Sequence, residues 1–213
     1  MEFVKDISVV IGLWVVFYKI AAWQIEHRGR RNIELAEETL ALFYEAKDVI
    51  EWIRHPVAFG NEIDSVIKEE NESREEFEAR KKVNFIFVRF NKNKELFSKI
   101  HSLRYRFMAQ IGKEKAMPFT ALDVLIKEII TAARILTILW AEKNLPNEEA
   151  RKIHYNQIKM NESLIWNSFA KKDPINAKME AIIQSIEAAC QEVIMAKGTL
   201  HGLLNWTFKR KKL

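Results

Sequence analysis

The sequence is poor in the residues that cross-link or interrupt a chain. Its 213 residues include 1 Cys, 6 Gly and 4 Pro. The lone cysteine, Cys190, excludes an internal disulfide, is typical of a reducing compartment and is expected to be a buried, inert thiol. Glycine and proline supply the turns of sheet proteins, so their scarcity favours long helices with short connections. We therefore predict an all-α fold.

The sequence also lacks any constellation of reactive side chains. It contains no His-Glu-x-x-His pair, paired-cysteine zinc site, glycine-rich phosphate loop or nucleophile elbow. The histidines are scattered singly along the chain: His27, His55, His101, His154 and His201. We therefore expect no enzymatic activity, no cofactor or metal, and no small-molecule ligand. An enzyme with a dispersed site is the alternative.

One long hydrophobic run is present near the beginning, at residues 7–23 (ISVVIGLWVVFYKIAAW). It is apolar on every side, unlike the one-sided pattern of a surface helix. At 1.5 Å per residue it extends about 26 Å, near the lower limit for crossing a bilayer. Lys19 interrupts the run one turn before its end, where its ammonium group reaches the headgroups, and Trp23 falls at the interface. We predict a single membrane-spanning helix.

The charges on either side of this run predict its orientation. The preceding residues are nearly neutral, whereas His27 and three arginines follow the run: Arg28, Arg30 and Arg31. Because positive charge is enriched on the cytoplasmic side, we predict a single-pass protein of the inner (cytoplasmic) membrane, with its N-terminus outside and its C-terminal domain in the cytoplasm. The alternatives are a cleaved signal peptide and the buried central helix of a soluble bundle.

Small residues recur along one side of the run. One narrow strip at helical spacing comprises Ser8, Gly12, Val15, Lys19 and Ala22. Ser8 and Gly12 form a small-xxx-small pair, which lets two helix backbones approach closely in lipid. We predict that this strip packs against another membrane helix, from a second copy or from another membrane protein. The alternative is that it faces lipid.

The net charge of +5 is concentrated at two places. One is the arginine cluster after the hydrophobic run, and the other is the C-terminal tail with Lys209, Arg210, Lys211 and Lys212. The remainder of the chain is nearly balanced, which disfavours a nucleic-acid surface. Basic clusters beside a membrane span are typical of contacts with anionic lipid, which we predict for both clusters. A frayed, solvated tail is the alternative for residues 203–213.

Helical periodicity and capping residues divide the rest of the chain into about five helices. We predict a membrane anchor with a basic flank at residues 1–31 and a cytoplasmic helical bundle at residues 32–213, with a loop and a short helix over residues 57–71. Residues 84–90 (NFIFVRF) have strand-like composition, but the charged helical sequence on both sides favours helix. The predicted helices cover residues 32–54, 73–111 and 120–144, the segment after Pro146 and the segment after Asp173.

Capping residues predict where these helices begin and end. Asn71 or Ser73 starts the second helix, which stops at Gly112 and has Val83 and Ile86 on its core face. Thr120 and Asp123 suggest a capping box for the third helix, whose broad apolar surface predicts burial on several sides. Pro146 or Asn147 starts the fourth, and Asp173 with Pro174 starts the fifth.

Residues 35–56 (LAEETLALFYEAKDVIEWIRHP) follow the short span and the arginine cluster. In this arrangement the chain resembles a group of uncharacterised bacterial proteins that have one N-terminal span and a small helical cytoplasmic part. The resemblance covers mainly the first quarter of the chain. It implies a bacterial inner-membrane setting and carries no activity and no site residues.

These features predict a membrane-tethered helical interaction or scaffold protein that is oligomeric or part of a membrane complex. Its expected partners are membrane lipid and either a second copy or another membrane protein. Two further alternatives are a membrane-disrupting effector of a bacterial stress or antiphage defence system, and a soluble bundle that binds nucleic acid through its basic tail.

Overall fold

The computed structural model describes residues 2–58, 60–63, 66–167 and 173–195. At residues 2–13, 15, 21, 22, 25, 61 and 63 it describes the backbone alone. These residues form seven α-helices and one 3-10 turn, with no strand among them, so the all-α prediction is confirmed. The helices are α1 (Glu2–Ile53), α2 (Gly60–Ile63), α3 (Arg74–Lys92), α4 (Lys94–Gln110), α5 (Met117–Ala141), α6 (Glu148–Ile165) and α7 (Pro174–Met195).

The first helix, α1, is a single element of 52 residues, about 78 Å long at 1.5 Å per residue. It continues through Gly29 without a break, so the predicted membrane helix and the predicted helix over residues 32–54 are one element. The helix ends at Ile53, three residues before Pro56, whose ring disfavours helical backbone at the residue preceding it.

Across the part of the chain that the structure describes, no helix is both long enough and apolar enough to cross a membrane. The side chains of residues 7–13, the first part of the predicted span, lie outside that part. The backbone of residues 7–23 is helical, as predicted. The fold therefore confirms the helix and leaves its place in a membrane as a prediction.

The chain divides into two compact units, residues 1–39 with 188–213 and residues 40–187. The first unit buries Leu35, Ala36, Thr39 and Cys190. The Thr39 hydroxyl donates to the Leu35 carbonyl at 2.7 Å, which satisfies this buried polar group inside its own helix. Cys190 is fully buried, as predicted from the apolar face on which it lies.

In the second unit, α5 packs against both α3 and α6. Phe119, in the first turn of α5, contacts Phe43 edge to face with the ring centroids 5.0 Å apart, and contacts Phe107 at 5.2 Å. Aromatic pairs of this geometry contribute roughly 0.5–1.5 kcal/mol beyond the area they bury. The three rings therefore connect α1, α4 and α5 within one apolar core.

The single helix predicted over residues 73–111 is wrong, because the chain breaks at Asn93 into α3 and α4. The Asn93 side chain donates to the Arg89 carbonyl at 2.8 Å and satisfies an acceptor at the end of α3. The start is as predicted, since Ser73 and Glu76 form a reciprocal capping box. The end is also as predicted, since α4 ends at Gln110 with Ile111 as its C-cap, and Gly112 then adopts φ +142°, a conformation that favours glycine.

The predicted start of α5 at Thr120 is also wrong. The helix begins at Met117 and places Pro118 in its first turn, where the missing proline N–H would have had no helical partner. The prediction that α5 is buried on several sides holds only in part. Its core face is buried, whereas Val124 is 57% and Ile138 is 68% exposed.

The starts of α6 and α7 follow the predicted capping chemistry. Asn147 accepts from the backbone N–H of Ala150 at 2.8 Å at the start of α6. Asp173 accepts from the backbone N–H groups of Ile175 and Asn176 at 2.9 and 3.0 Å at the start of α7. Side chains of this type satisfy the free donors of a first helical turn.

Candidate functional site

The second unit contains two arginines whose side chains are completely buried, Arg54 and Arg89. Arginine is rarely fully buried unless it is paired, because removing a charge from water is costly. Arg54 follows the last residue of α1, and Arg89 lies in the last turn of α3. We call each guanidinium, together with the groups that accept its hydrogen bonds, the Arg54 centre and the Arg89 centre.

In the Arg89 centre, every nitrogen of the guanidinium donates to an acceptor. Nε and Nη2 donate to the two carboxylate oxygens of Glu62, each at 2.8 Å, in a bidentate pair. Nη1 donates to the carbonyls of Trp52 and His55 at 3.0 and 2.7 Å. Nη2 also donates to the Val57 carbonyl at 2.6 Å. Arg89 therefore holds the end of α1, the chain that follows it, and α2.

Two aromatic rings flank the same guanidinium. Its Cζ atom lies 4.8 Å from the centroid of Trp52 and 4.9 Å from that of Phe85. The quadrupole of an aromatic ring attracts a cation over its face, and this attraction is stronger where water is excluded. A planar guanidinium both stacks on rings and presents a fixed fork of donors, so lysine could not replace arginine here.

The Arg54 centre joins three separate segments. Its Nε donates to the Leu164 carbonyl at 2.8 Å, and its Nη2 donates to Asp173 at 2.8 Å. Its remaining acceptors are Asn176 Oδ1 at 2.9 Å, Ser163 O at 3.1 Å and Trp166 O at 2.9 Å. The carbonyl of Arg54 itself accepts from the backbone N–H of Asn167 at 2.7 Å. Arg54 thus connects the end of α1 with the end of α6 and the start of α7.

Each of the two arginines donates hydrogen bonds to carbonyls at the C-terminal end of a helix. The last carbonyls of an α-helix have no partner within the helix and must be satisfied by other groups when they are buried. Arg89 donates to carbonyls at the end of α1, and Arg54 donates to carbonyls at the end of α6. A cation at a helix C-terminus is also favoured by the helix dipole. Both arginines are therefore structural cations with an internal carboxylate partner.

Neither arginine was singled out by the sequence reasoning. A signal was present for Arg89, because it lies three residues after Ile86 on the predicted core face of its helix. Arg54 likewise follows Ile53 at the end of an apolar stripe. A cation on a predicted core face is a reason to search for a buried carboxylate. Its partner, however, could not be named from the sequence.

A separate acidic cleft of about 820 Å³ lies between the start of α3 and the last turns of α5. Arg80 crosses it and donates to Glu72 from Nε at 2.7 Å, to the Ile67 carbonyl at 2.8 Å, and pairs with Glu69 at 3.6 Å. Ile138 forms part of the opposite wall. Arg80 therefore neutralises part of a cleft whose other charged lining residues are acidic: Glu69, Glu70, Glu72, Glu76 and Glu142.

Three glutamates at the start of α3 have lowered pKa values, each for a local reason. The hydrogen bond from Arg80 holds the pKa of Glu72 below its ordinary value. The Lys143 ammonium, 2.9 Å away, lowers the pKa of Glu75. The backbone N–H of Ser73 lowers the pKa of Glu76 within the capping box. Each interaction favours the ionised carboxylate.

Acid should weaken the Glu72–Arg80 interaction. A carboxyl whose folded pKa lies below its ordinary value of 4.5 stabilises the fold fully above that value, and this stabilisation is lost as the pH falls through the folded pKa. We expect Glu72→Gln to lower the melting temperature at neutral pH, and the difference from wild type to shrink as the pH is lowered from about 5 to about 3. Thermal melts followed by circular dichroism across this range test it. A difference that stays constant with pH would contradict the assignment.

The structure describes only some of the residues predicted to contact lipid or another helix. Arg28, Arg30 and Arg31 are exposed, and Arg30 pairs with Glu26 at 3.9 Å. Lys19 of the predicted packing strip is also exposed. The side chains of the other strip residues, and the basic tail, lie outside the described residues: Ser8, Gly12, Val15, Ala22, Lys209, Arg210, Lys211 and Lys212. The predicted lipid contacts and helix packing therefore stay predictions at all of these positions.

The described side chains of the hydrophobic run are exposed. Trp14, Phe17, Tyr18 and Trp23 are each more than 60% exposed, at 68%, 69%, 64% and 63%. Trp14 stacks on Tyr18, and Trp23 stacks on His27, with ring centroids 5.8 and 5.4 Å apart. These stacked pairs lie along the helix, and the four rings remain exposed.

Comparison with known proteins adds no relative. No protein-family model, curated protein or solved structure matches the chain. The resemblance to single-span bacterial proteins therefore stays a prediction. The features of this chain that bear on its function are the exposed apolar side chains described within residues 14–23 and the two buried arginine centres.

Proposed function

We propose that this chain is a membrane-tethered helical interaction or scaffold protein. Residues 7–23 of α1 cross the inner membrane once, with the N-terminus outside, and the helical bundle lies in the cytoplasm. The bundle provides a folded surface, and the membrane helix concentrates it at the bilayer with a second copy or another membrane protein. This activity requires no catalytic group.

The observation that carries the proposal is the exposure of large apolar side chains on opposite sides of one helix. Successive residues of an α-helix are rotated by about 100°. Trp14 and Tyr18 therefore lie on one side, and Val16 and Trp23 lie on the opposite side, yet each is more than half exposed. A helix on the surface of a soluble bundle buries one apolar face. A helix with apolar side chains all round is instead suited to a surrounding hydrocarbon layer.

The charges that follow favour a helix that crosses the membrane over one that lies flat on it. Arg28, Arg30 and Arg31 are exposed and lie within an arc of about 160° around the helix axis. A flat amphipathic helix carries its cations along one face over its whole length. In this chain the three arginines instead follow the apolar run, so that they meet the headgroup layer at one end of an upright helix. Anionic lipid contributes about 1 kcal/mol for each such cation.

A charge placed in the middle of the run tests the proposal. We expect the wild-type chain, expressed in bacteria, to remain in membranes after alkaline carbonate washing. Changing Val16 and Phe17 together to Asp should release it, because each charge near the middle of a span costs roughly 2.5–3.5 kcal/mol on the insertion scale. The readout is the fraction of the full-length chain in the washed membrane pellet.

A matched control places the same charges elsewhere. Ile135 and Ile138 are also apolar and exposed, but they lie on α5 in the second unit. Changing both to Asp should leave the membrane fraction unchanged. The proposal fails if the wild-type chain is soluble without detergent, or if both double variants lose the membrane fraction equally.

A further inference from the structure

The Arg89 centre is built from two kinds of parts. α1 and α3 supply the cation, the two flanking rings and the carbonyls at the end of α1. The short helix α2 supplies the carboxylate of Glu62. Of the side chains described between residues 55 and 73, Glu62 is the one that is buried, at 2% exposure. The segment that connects α1 to α3 is therefore anchored to the core by the buried carboxylate of Glu62 and not by an apolar side chain.

The guanidinium is positioned largely without help from α2. Its Nη1 donates to the Trp52 and His55 carbonyls, and its plane lies near the rings of Trp52 and Phe85. With the guanidinium held by these contacts, one N–H of Nε and one of Nη2 point in the same direction, and each donates to one carboxylate oxygen of Glu62. Two parallel N–H groups at this spacing match a carboxylate of any origin.

From this geometry we infer that the Arg89 centre is a carboxylate-binding site whose occupant in the folded chain is its own Glu62. A ligand carboxylate of the size of acetate binds to Nε and Nη2 of Arg89 when the Glu62 side chain is absent. All of these residues lie within residues 40–187, so the inference does not depend on membrane attachment.

The Arg54 centre differs from the Arg89 centre in the role of its carboxylate. Its carboxylate, Asp173, pairs with Nη2 of Arg54 and also accepts the backbone N–H groups of Ile175 and Asn176. The same side chain therefore neutralises the arginine and caps α7. A free carboxylate would have to satisfy the cap and the cation at once, without the covalent link that places Asp173. We expect no comparable site there.

Chemical rescue tests the inference. Glu62→Ala removes one methylene and the carboxylate, and acetate restores a carboxylate with one carbon attached. We expect the full-length variant to have a lower melting temperature than wild type, and sodium acetate at about 200 mM to recover part of the loss relative to sodium chloride at equal ionic strength. Acetate that binds with a dissociation constant of about 20 mM would raise the melting temperature by roughly 3–6 °C.

The control variant is Asp173→Ala, melted in the same two salts, and wild type provides the baseline for general salt effects. Acetate should raise the melting temperature of Glu62→Ala alone. If Glu62→Ala does not fold in chloride, refolding it in acetate replaces the melt, and recovery of the folded chain supports the site. Equal behaviour in acetate and chloride, or equal rescue of both variants, would overturn the inference.

Hydrogen exchange distinguishes a filled site from a general stabilisation. With acetate bound to Glu62→Ala, amides of residues 86–93 around Arg89 should regain protection. Amides of α2 should remain fast to exchange, because the carboxylate that tethered them to Arg89 is gone. Protection that returns uniformly over the whole unit would show that acetate acts without occupying this site, and the inference would fail.

Discussion

Replacing Arg89 with Met should lower the free energy of unfolding by roughly 3–5 kcal/mol, the range found when one partner of a buried ion pair is removed. The loss has two sources. The Glu62 carboxylate, 2% exposed, remains buried without its cation. The carbonyls of Trp52, His55 and Val57 also lose their donor. The methylenes of Met retain much of the packing, so the change reports mainly on charge and hydrogen bonding.

Urea unfolding of full-length protein measures this effect, and the melting temperature should fall by about 6–20 °C for a chain of this size. Arg151→Met is the matched control, because Arg151 also pairs with a glutamate, Glu148, but its side chain is 63% exposed. Such surface pairs contribute about 0–1 kcal/mol. Changing Glu62 to Leu in the Arg89→Met background should recover part of the loss. If both arginine variants were equally stable, the importance assigned to burial would be wrong.

Replacing Arg54 with Lys should be nearly as damaging, although the positive charge is kept. Arg54 donates to acceptors on α6, on α7 and on the segment between them. A lysine ammonium has three donors on a flexible stem and cannot reproduce the planar fork. Each buried acceptor left without a partner costs about 1–3 kcal/mol. We expect a loss of roughly 3 kcal/mol or more from the carbonyls of Ser163, Leu164 and Trp166.

Unfolding of Arg54→Lys and Arg54→Met in urea distinguishes geometry from charge. If the fork is what matters, the two variants lose similar stability. If charge alone matters, Lys restores most of the wild-type value, and the role given to the carbonyls is refuted. Arg151→Lys serves as the control, since the exposed Arg151–Glu148 pair tolerates this exchange within about 1 kcal/mol.

Features that depend on nearby residues could be predicted from the sequence. The all-α class followed from the scarcity of glycine and proline. The starts at Ser73, Asn147 and Asp173 and the stop at Gly112 followed from capping chemistry that acts within a few residues. The same local reasoning placed the start of α5 too late, at Thr120, whereas the helix begins at Met117 with Pro118 in its first turn, a position that proline favours.

Features that depend on residues distant in the sequence could not be predicted from it. Arg54 finds its acceptors 109 to 122 residues further along the chain, and no periodic pattern encodes such a pairing. The break at Asn93 differs, because the Asn93 side chain donates to the Arg89 carbonyl only four residues back. Asparagine favours caps and turns over helix interiors, so this break carried a local signal.

The sequence by itself determined that the chain is helical and that one stretch near its beginning is apolar on every side, because composition and helical period are local properties. The tertiary structure decided which apolar side chains are covered. It buried one face of α5 and left Val124 and Ile138 exposed, and it enclosed two arginines that composition alone would place at the surface. Burial depends on which segments meet, and the meeting of distant segments is decided by packing of the whole chain.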